Sequence, residues 1–329
     1  MEKNEIVFVS RAFLRFQNTV IGFLSQKYIV KCIKFQGFLS ILEILKTLKQ
    51  NNLCIIYFAG RSALVTILLS KLKRCRTVVI AAGYDIAKEH QLNTFDWIRI
   101  KIYSKPALIF ADYVIVVSKY LEKEMLSFVT PKKHFLSYGP NSVDVTFFTP
   151  NGKKDENLII SVGAIEEKYL KKKGFHVFVE CAKRLPNLNF IWVGFLKDPS
   201  FLKKINVPPN LKILHDLSDT ELRDLMRKAS VYCQLSKIEG FGMAIAEAMA
   251  CECVPVVTKG GAIPELVGDT GIYVHYCDVE GTIKGIKLAL SKRDLGKKAR
   301  ERIVQKFSKE VHKDYFLNII DGIYKNIKK

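Results

Sequence analysis

Short runs of β-branched and aromatic residues alternate along the chain with longer segments in which apolar positions recur every three to four residues. Repeated strand-then-helix spacing predicts βα units and mostly parallel sheets. In the first half, strands are predicted at Ile6–Val9, Ile29–Lys34, Leu53–Phe58, Thr77–Ala81, Tyr113–Val117 and His134–Ser137. In the second half they are predicted at Leu158–Val162, Asn189–Val193, Leu211–Leu214, Val231–Leu235, Val254–Val257 and Ile272–Val274. Phe38, Ile41, Leu42, Leu45 and Leu48 define one apolar helical face, and Val311, Tyr315, Ile319, Ile323 and Ile327 step by four along a closing helix. Ser218 and Glu221 form a capping box that opens a helix running to about Lys228.

The rhythm breaks at residues 139–155, GPNSVDVTFFTPNGKKD, where Gly, Pro, Asn and Asp cluster. A hinge is expected there. The organisation read from this is α/β, with domains at 1–150 and 151–306 and a C-terminal helix, 307–329, packing back toward the N-terminal domain. Two such open sheets bind ligands outside the carboxyl ends of their strands, so the expected site is the cleft between them.

Composition narrows the function classes. A chain of 329 residues, 49% hydrophobic, is long enough for two cores and carries no low-complexity tract or internal repeat. Its eight cysteines lie mostly in apolar runs, and Cys251-Glu252-Cys253 alone is a poor metal motif; buried thiols in a reducing cytoplasm are expected, with no metal and no cofactor. MEKNEIVFVS reads as a first strand rather than a basic leader, and Leu53 to Ser70, interrupted by Arg61, is too short to span a membrane. The formal charge of +20 is shared almost evenly between the halves. Its sign suits an anionic membrane, anionic ligands or nucleic acid, but no basic-aromatic interleaving of the nucleic-acid kind is present.

The chemistry concentrates in Ser236 to Val257, SKIEGFGMAIAEAMACECVPVV. Gly240 and Gly242 bracket a helix start, where unpaired N–H groups and the helix dipole make an anion site suited to diphosphate. Glu239 precedes that helix. Glu247, the single charge in an otherwise apolar helix, is expected to be buried and paired, with the geometry to accept hydrogen bonds from a diol.

These residues resemble the retaining GT-B glycosyltransferases often called family four, whose E-x7-E signature EGFGMAIAE matches. Residues 139–150 resemble that family's interdomain "NGVD…F.P" segment, with Ser142 where glycine is usual. Val162-Gly163 and Lys173-Gly174-Phe175 resemble its "VGR…KG" phosphate loop, Gly260-Gly261-Ala262-Ile263-Pro264-Glu265 its "GG.PE" loop, and residues 111–118 the end of its acceptor domain. The resemblance implies a GT-B fold, two Rossmann-like domains facing across a cleft, with an N-terminal acceptor domain and a C-terminal nucleotide-sugar domain. It implies Glu239 near the donor sugar, Glu247 on the ribose, main chain of Gly163, Gly240, Phe241 and Gly242 against sugar and phosphate, and Lys173 neutralising the departing diphosphate. The chain departs from the pattern at Ala164, where arginine is usual. Lys168, Lys171 and Lys172 stand in the same loop either as compensating cations or as solvated residues.

On the acceptor side, Ala82-Gly83-Tyr84-Asp85 follows a strand and would face the cleft; Asp85 is the catalytic candidate there, with His90 second, unless the segment is only a turn. Arg61 also lies past a strand end. The function implied is transfer of a sugar from a UDP- or GDP-sugar co-substrate to an acceptor hydroxyl in glycolipid or cell-surface polysaccharide synthesis. A lipid-linked acceptor and peripheral contact with an anionic inner membrane face fit Phe13, Phe16, Phe23, Phe35 and Phe38, which could equally be core. The alternatives are a nucleotide-sugar epimerase, an inactive donor-binding homologue and a nucleic-acid-binding protein.

Overall fold

β1 (Glu5–Ser10), β3 (Leu53–Tyr57) and β4 (Arg76–Ala81) are almost continuous apolar runs, as strands covered by helices on both faces must be. They form the middle of a six-stranded parallel sheet, completed by β2 (Ile29–Lys34), β5 (Tyr113–Val116) and β6 (Leu136–Tyr138) in the order β2-β1-β3-β4-β5-β6. The computed structural model describes residues 4–83, 85–86, 98–127, 129–130, 136–139, 141–196, 198, 200 and 206–327. These divide into two compact units, 1–142 with 309–329, and 143–308.

In the first unit the strand order reverses between β1 and β3. Right-handed crossovers therefore put α1 (Arg15–Ser25) on one face. The opposite face takes α2 (Phe38–Thr47), α3 (Arg61–Leu72), a π-helical turn (Ile100–Ser104) continued by α4 (Lys105–Phe110), and α5 (Lys119–Leu126). Asp112 fastens two strand starts: its carboxylate accepts from the main-chain N–H of Thr77 at 2.9 Å and its hydroxyl at 2.8 Å, and pairs with Arg76.

The closing helix (Lys309–Ile327) belongs to this unit. Asp321 accepts from Lys27 and from the Tyr28 hydroxyl, the rings of Tyr28 and Tyr324 stack at 5.2 Å, and the Tyr324 hydroxyl reaches the Glu5 carbonyl. The expected stripe of fours is only in part its buried face, at Ile323. Each four-residue step overshoots a turn by about 40°, so the stripe winds around the helix: Val311 and Tyr315 are exposed, while Phe316, Ile320, Ile323 and Tyr324 are buried. In α2 the expected apolar face is likewise displaced, since Ser40 and Ile44 are buried and Phe38 and Leu42 are exposed. Of the five early aromatics, Phe23 and Phe35 are core and Phe38 alone is fully outward.

The second unit has its own six-stranded parallel sheet: β7 (Asp155–Val162), β8 (Asn189–Gly194), β9 (Leu211–His215), β10 (Ala229–Gln234), β11 (Val254–Val257) and β12 (Ile272–Tyr273). The order is β12-β11-β10-β7-β8-β9, the doubly wound arrangement that reverses between its first and fourth strands. Its helices are α6 (Glu167–Lys173), α7 (Phe175–Arg184), α8 (Asp219–Lys228), α9 (Met243–Ala250), α10 (Ile263–Val267), α11 (Val279–Ser291) and α12 (Asp294–Phe307). Trp192 sits at the core centre, edge-on to Phe175 at 5.0 Å and to Phe178 at 5.6 Å. The predicted capping box at α8 is formed, with both reciprocal bonds present.

Candidate functional site

The reversal in the second unit lies between β7 and β10, where the loops leaving the two strands diverge and open a crevice. After β7 comes Gly163, pinned on both sides: its N–H donates to Val193 at 2.9 Å and its carbonyl accepts from the Trp192 indole at 3.0 Å. A Cβ here would lie 2.7 Å from the Trp192 ring, so glycine is required. The lysine-rich stretch that follows is helical from Glu167 to Lys173 and ends in left-handed Gly174, whose missing Cβ would overlap the Leu235 carbonyl. Lys172 is buried and its carbonyl accepts from the Lys237 N–H at 2.8 Å, which brings Lys173 to the end of β10.

There Lys173 Nζ meets Glu239 Oε1 at 2.6 Å. The same oxygen accepts from the Ser236 hydroxyl at 2.7 Å and from the Gln234 amide at 3.1 Å. Gln234 in turn accepts from the Tyr232 hydroxyl at 2.6 Å. Tyr232, Gln234 and Ser236 are buried, and their spacing of two sets them on one side of the strand line. Burial, then the charges of Glu239 and Glu247, push the Tyr232 hydroxyl well above its usual range, so it stays a proton donor. This relay was missed in the sequence, although polar residues at alternate positions of a buried strand were its readable signal.

The main chain of Glu239 is clamped from the other side. Glu239 bridges Gly261, and its carbonyl accepts from the Ala262 N–H at 2.9 Å. Side chains at Gly260 or Gly261 would overlap the Lys237 and Glu239 carbonyls. The two glycines therefore let this loop lie flush against Glu239.

Gly240 is buried, Phe241 turns its ring inward onto Phe307, and Gly242, at φ 99°, opens α9. Only main chain of this tripeptide faces outward chemistry, and the first turn of α9 supplies N–H groups without intrahelical acceptors. The far end of α9 is neutralised: Lys154 Nζ donates to the carbonyl of Cys251 at 2.6 Å, and Arg300 reaches that of Ala250. Glu247 is 6% exposed, one turn into this apolar helix. The unit thus brings together Gly163, Lys173, Glu239 and the helix start of Gly240, Phe241 and Gly242, with Glu247 behind them.

Asp85 belongs to the first unit, and its carboxylate is engaged by the main chain. Its oxygens accept from the N–H groups of Ala59 at 2.7 Å, Gly83 at 2.8 Å and Ala82 at 3.2 Å. Burial pushes its carboxyl above the ordinary value, against the downward pull of these donors. Asp85 thereby ties the ends of β3 and β4 together. Arg61 is exposed at the start of α3. His90 lies outside the described residues.

Against known families, a profile described as glycosyl transferases group 1 matches residues 144–309, half of the chain. The chain belongs to this family. Solved structures agree with this group 1 assignment at the level of fold. Sucrose-phosphate synthase from Thermosynechococcus elongatus superposes with a TM-score of 0.79 at 16% identity, covering 98% of this chain and 100% of that one. Anabaena HepE in complex with UDP and glucose gives 0.79 at 16%, covering 97% and 100%. The fold of this group 1 chain is therefore GT-B, built of two Rossmann-like units. In sequence, a phosphatidylinositol N-acetylglucosaminyltransferase component from Arabidopsis thaliana is 25% identical over 267 residues, 76% of this chain and 57% of that protein. The chain spans about half the length of the curated relatives it matches. Among the described residues no helix is long and apolar enough to cross a membrane.

Proposed function

We propose that the chain transfers a glycosyl group from a UDP-sugar to an acceptor hydroxyl, with retention at the anomeric carbon. The donor's diphosphate would lie on the first turn of α9 and on Lys173, its sugar beside Glu239, and its ribose hydroxyls toward Glu247. The observation that supports this reading most is the 2.6 Å contact of Lys173 with Glu239, the cation proposed for the departing phosphate beside the carboxylate proposed for the sugar. Stabilising charge as it develops on the leaving diphosphate, and orienting the acceptor beside it, supply the rate enhancement. UDP is favoured because HepE, of the same fold, was solved with UDP and glucose.

The acceptor is proposed to be lipid-linked and the enzyme to work at the cytoplasmic face of a membrane. A phosphatidylinositol-named relative supports this. A second reading, donor binding without transfer, is favoured by Ala164, which stands where an arginine would add a bidentate phosphate contact.

The test is release of nucleotide from UDP- and GDP-sugars with and without membrane lipid extract. Release that requires lipid extract, and is lost in Glu239→Ala, supports transfer. Conversion of the donor sugar to its epimer with no nucleotide released and no acceptor present points to an epimerase, and donor binding with neither release nor conversion to the inactive homologue. Absence of both binding and release contradicts the donor site itself.

A further inference from the structure

The helix layer of the first unit formed by α2, α3 and the π turn with α4 carries apolar side chains on the wrong side for a core. These elements neighbour one another on one face of the sheet. Their outward surfaces bear Phe38, Leu39 and Leu42 on α2, Leu68 and Leu72 on α3, and Ile102 on the π turn. Phe38 is 70% exposed and Leu39 and Leu72 are each 77% exposed. Scattered exposed leucines need no explanation, but a run across three adjacent helices marks a surface that something covers.

The charges on the same elements say what. α2, α3, the π turn and α4 carry Lys46, Arg61, Lys71, Lys101 and Lys105 against a single acid, Glu43. On α2 the wheel puts Lys46 between Leu42 and Leu39, where a long lysine stem extends along apolar neighbours while its ammonium reaches past them. A face with this balance repels a second copy of itself, since a two-fold contact would set like charges opposite one another. It complements a negative lipid surface, where leucines enter the headgroup boundary and lysines pair with phosphates.

We propose that this layer is the surface by which the protein lies on an anionic bilayer. The proposal deepens the reading of a lipid-linked acceptor, because it gives that acceptor a membrane at which the first unit is already seated. Binding to lipid needs neither donor nor turnover, so the two ideas fail separately.

Sedimentation of the full chain with phosphatidylcholine vesicles, and with vesicles containing 30% phosphatidylglycerol by design (about one anionic lipid in three), tests it. Binding is expected to the anionic vesicles only, weakened by added salt. A Leu39→Ser, Leu72→Ser variant is expected to bind about tenfold more weakly, with an unchanged circular dichroism spectrum. Val304→Ser, an exposed apolar position in the second unit, is the control and is expected to bind as wild type. The proposal is overturned if wild type does not sediment with anionic vesicles, if the double variant binds as well as wild type, or if the control loses binding equally. It is also overturned if ultracentrifugation without lipid shows a dimer that the double variant abolishes, which would assign the face to a second copy. Nucleic acid bound by this face in competition with vesicles and lost in the same variant would overturn it as well.

Discussion

Lys173 and Glu239, 66 residues apart in sequence, meet at 2.6 Å where the loops of β7 and β10 diverge. Neither residue reaches the other by local structure. The contact depends on Gly174, which lets the end of α6 lie against Leu235, and on Gly260 and Gly261, which let the next loop support Glu239 from beneath.

If this pair handles the departing diphosphate, each partner matters to turnover. Lys173→Met and Glu239→Gln are each expected to lower kcat for donor consumption about 100- to 1,000-fold, as followed by nucleotide release. The double variant should lose little beyond the worse single variant, because the two act as a unit.

Ser236 is expected to act through Glu239. Ser236→Ala removes one of three donors to the carboxylate oxygen, leaving Lys173 and Gln234. Stability should fall by about 1 kcal/mol in urea titration, with kcat reduced more than KM for the donor. Ser236→Thr, which keeps the hydroxyl, should recover most of the loss.

The glycines make a graded series. At Gly261 the backbone is left-handed, φ 67°, and a side chain would overlap the Glu239 carbonyl; at Gly152, φ 74°, nothing lies within 4 Å. Gly152→Ala is expected to cost about 1 kcal/mol, from backbone strain alone. Gly261→Ala should cost more and also reduce turnover, since it displaces Glu239.

Two buried-edge carboxylates should give opposite slopes of stability with pH. Burial raises the folded pKa of Asp85 above its ordinary 3.8, so its contribution is full below that value and is lost as pH rises through the folded pKa. Asp85→Asn, which leaves main-chain donors facing an amide, should destabilise by about 1–3 kcal/mol, with the gap from wild type wider toward acid. Asp321 resists some burial but is held below 3.8 by Lys27 and Tyr28. Its contribution is present above 3.8 and lost as pH falls through the folded pKa, so Asp321→Asn should flatten the acid limb of the wild-type curve. Urea midpoints of the three proteins across the acid range check both signs.

The sequence announced the parallel sheets because buried strands such as Leu53–Tyr57 are apolar throughout and stand between helical spacings. The glycine-opened helix after Glu239 was legible for the same reason, a local one: Gly242 is a left-handed helix start whatever surrounds it. What stayed hidden depends on tertiary packing. Phe38 and Leu42 looked like core because periodicity reports that a face is apolar and not what it faces. The main-chain donor that Ala59 offers Asp85 from 26 residues away leaves no mark in sequence. The Tyr232–Gln234–Ser236 relay fell between the two, visible as alternation but without a partner until Glu239 was in position.

Titration of UDP into the protein by calorimetry, repeated with Lys173→Met and Glu247→Gln, tests whether the second unit holds the donor's nucleotide. Wild type is expected to bind UDP, both substitutions to weaken binding about tenfold or more, and Asp85→Asn, in the other unit, to leave it unchanged. UDP binding of equal strength in all four proteins, or in none, would contradict it.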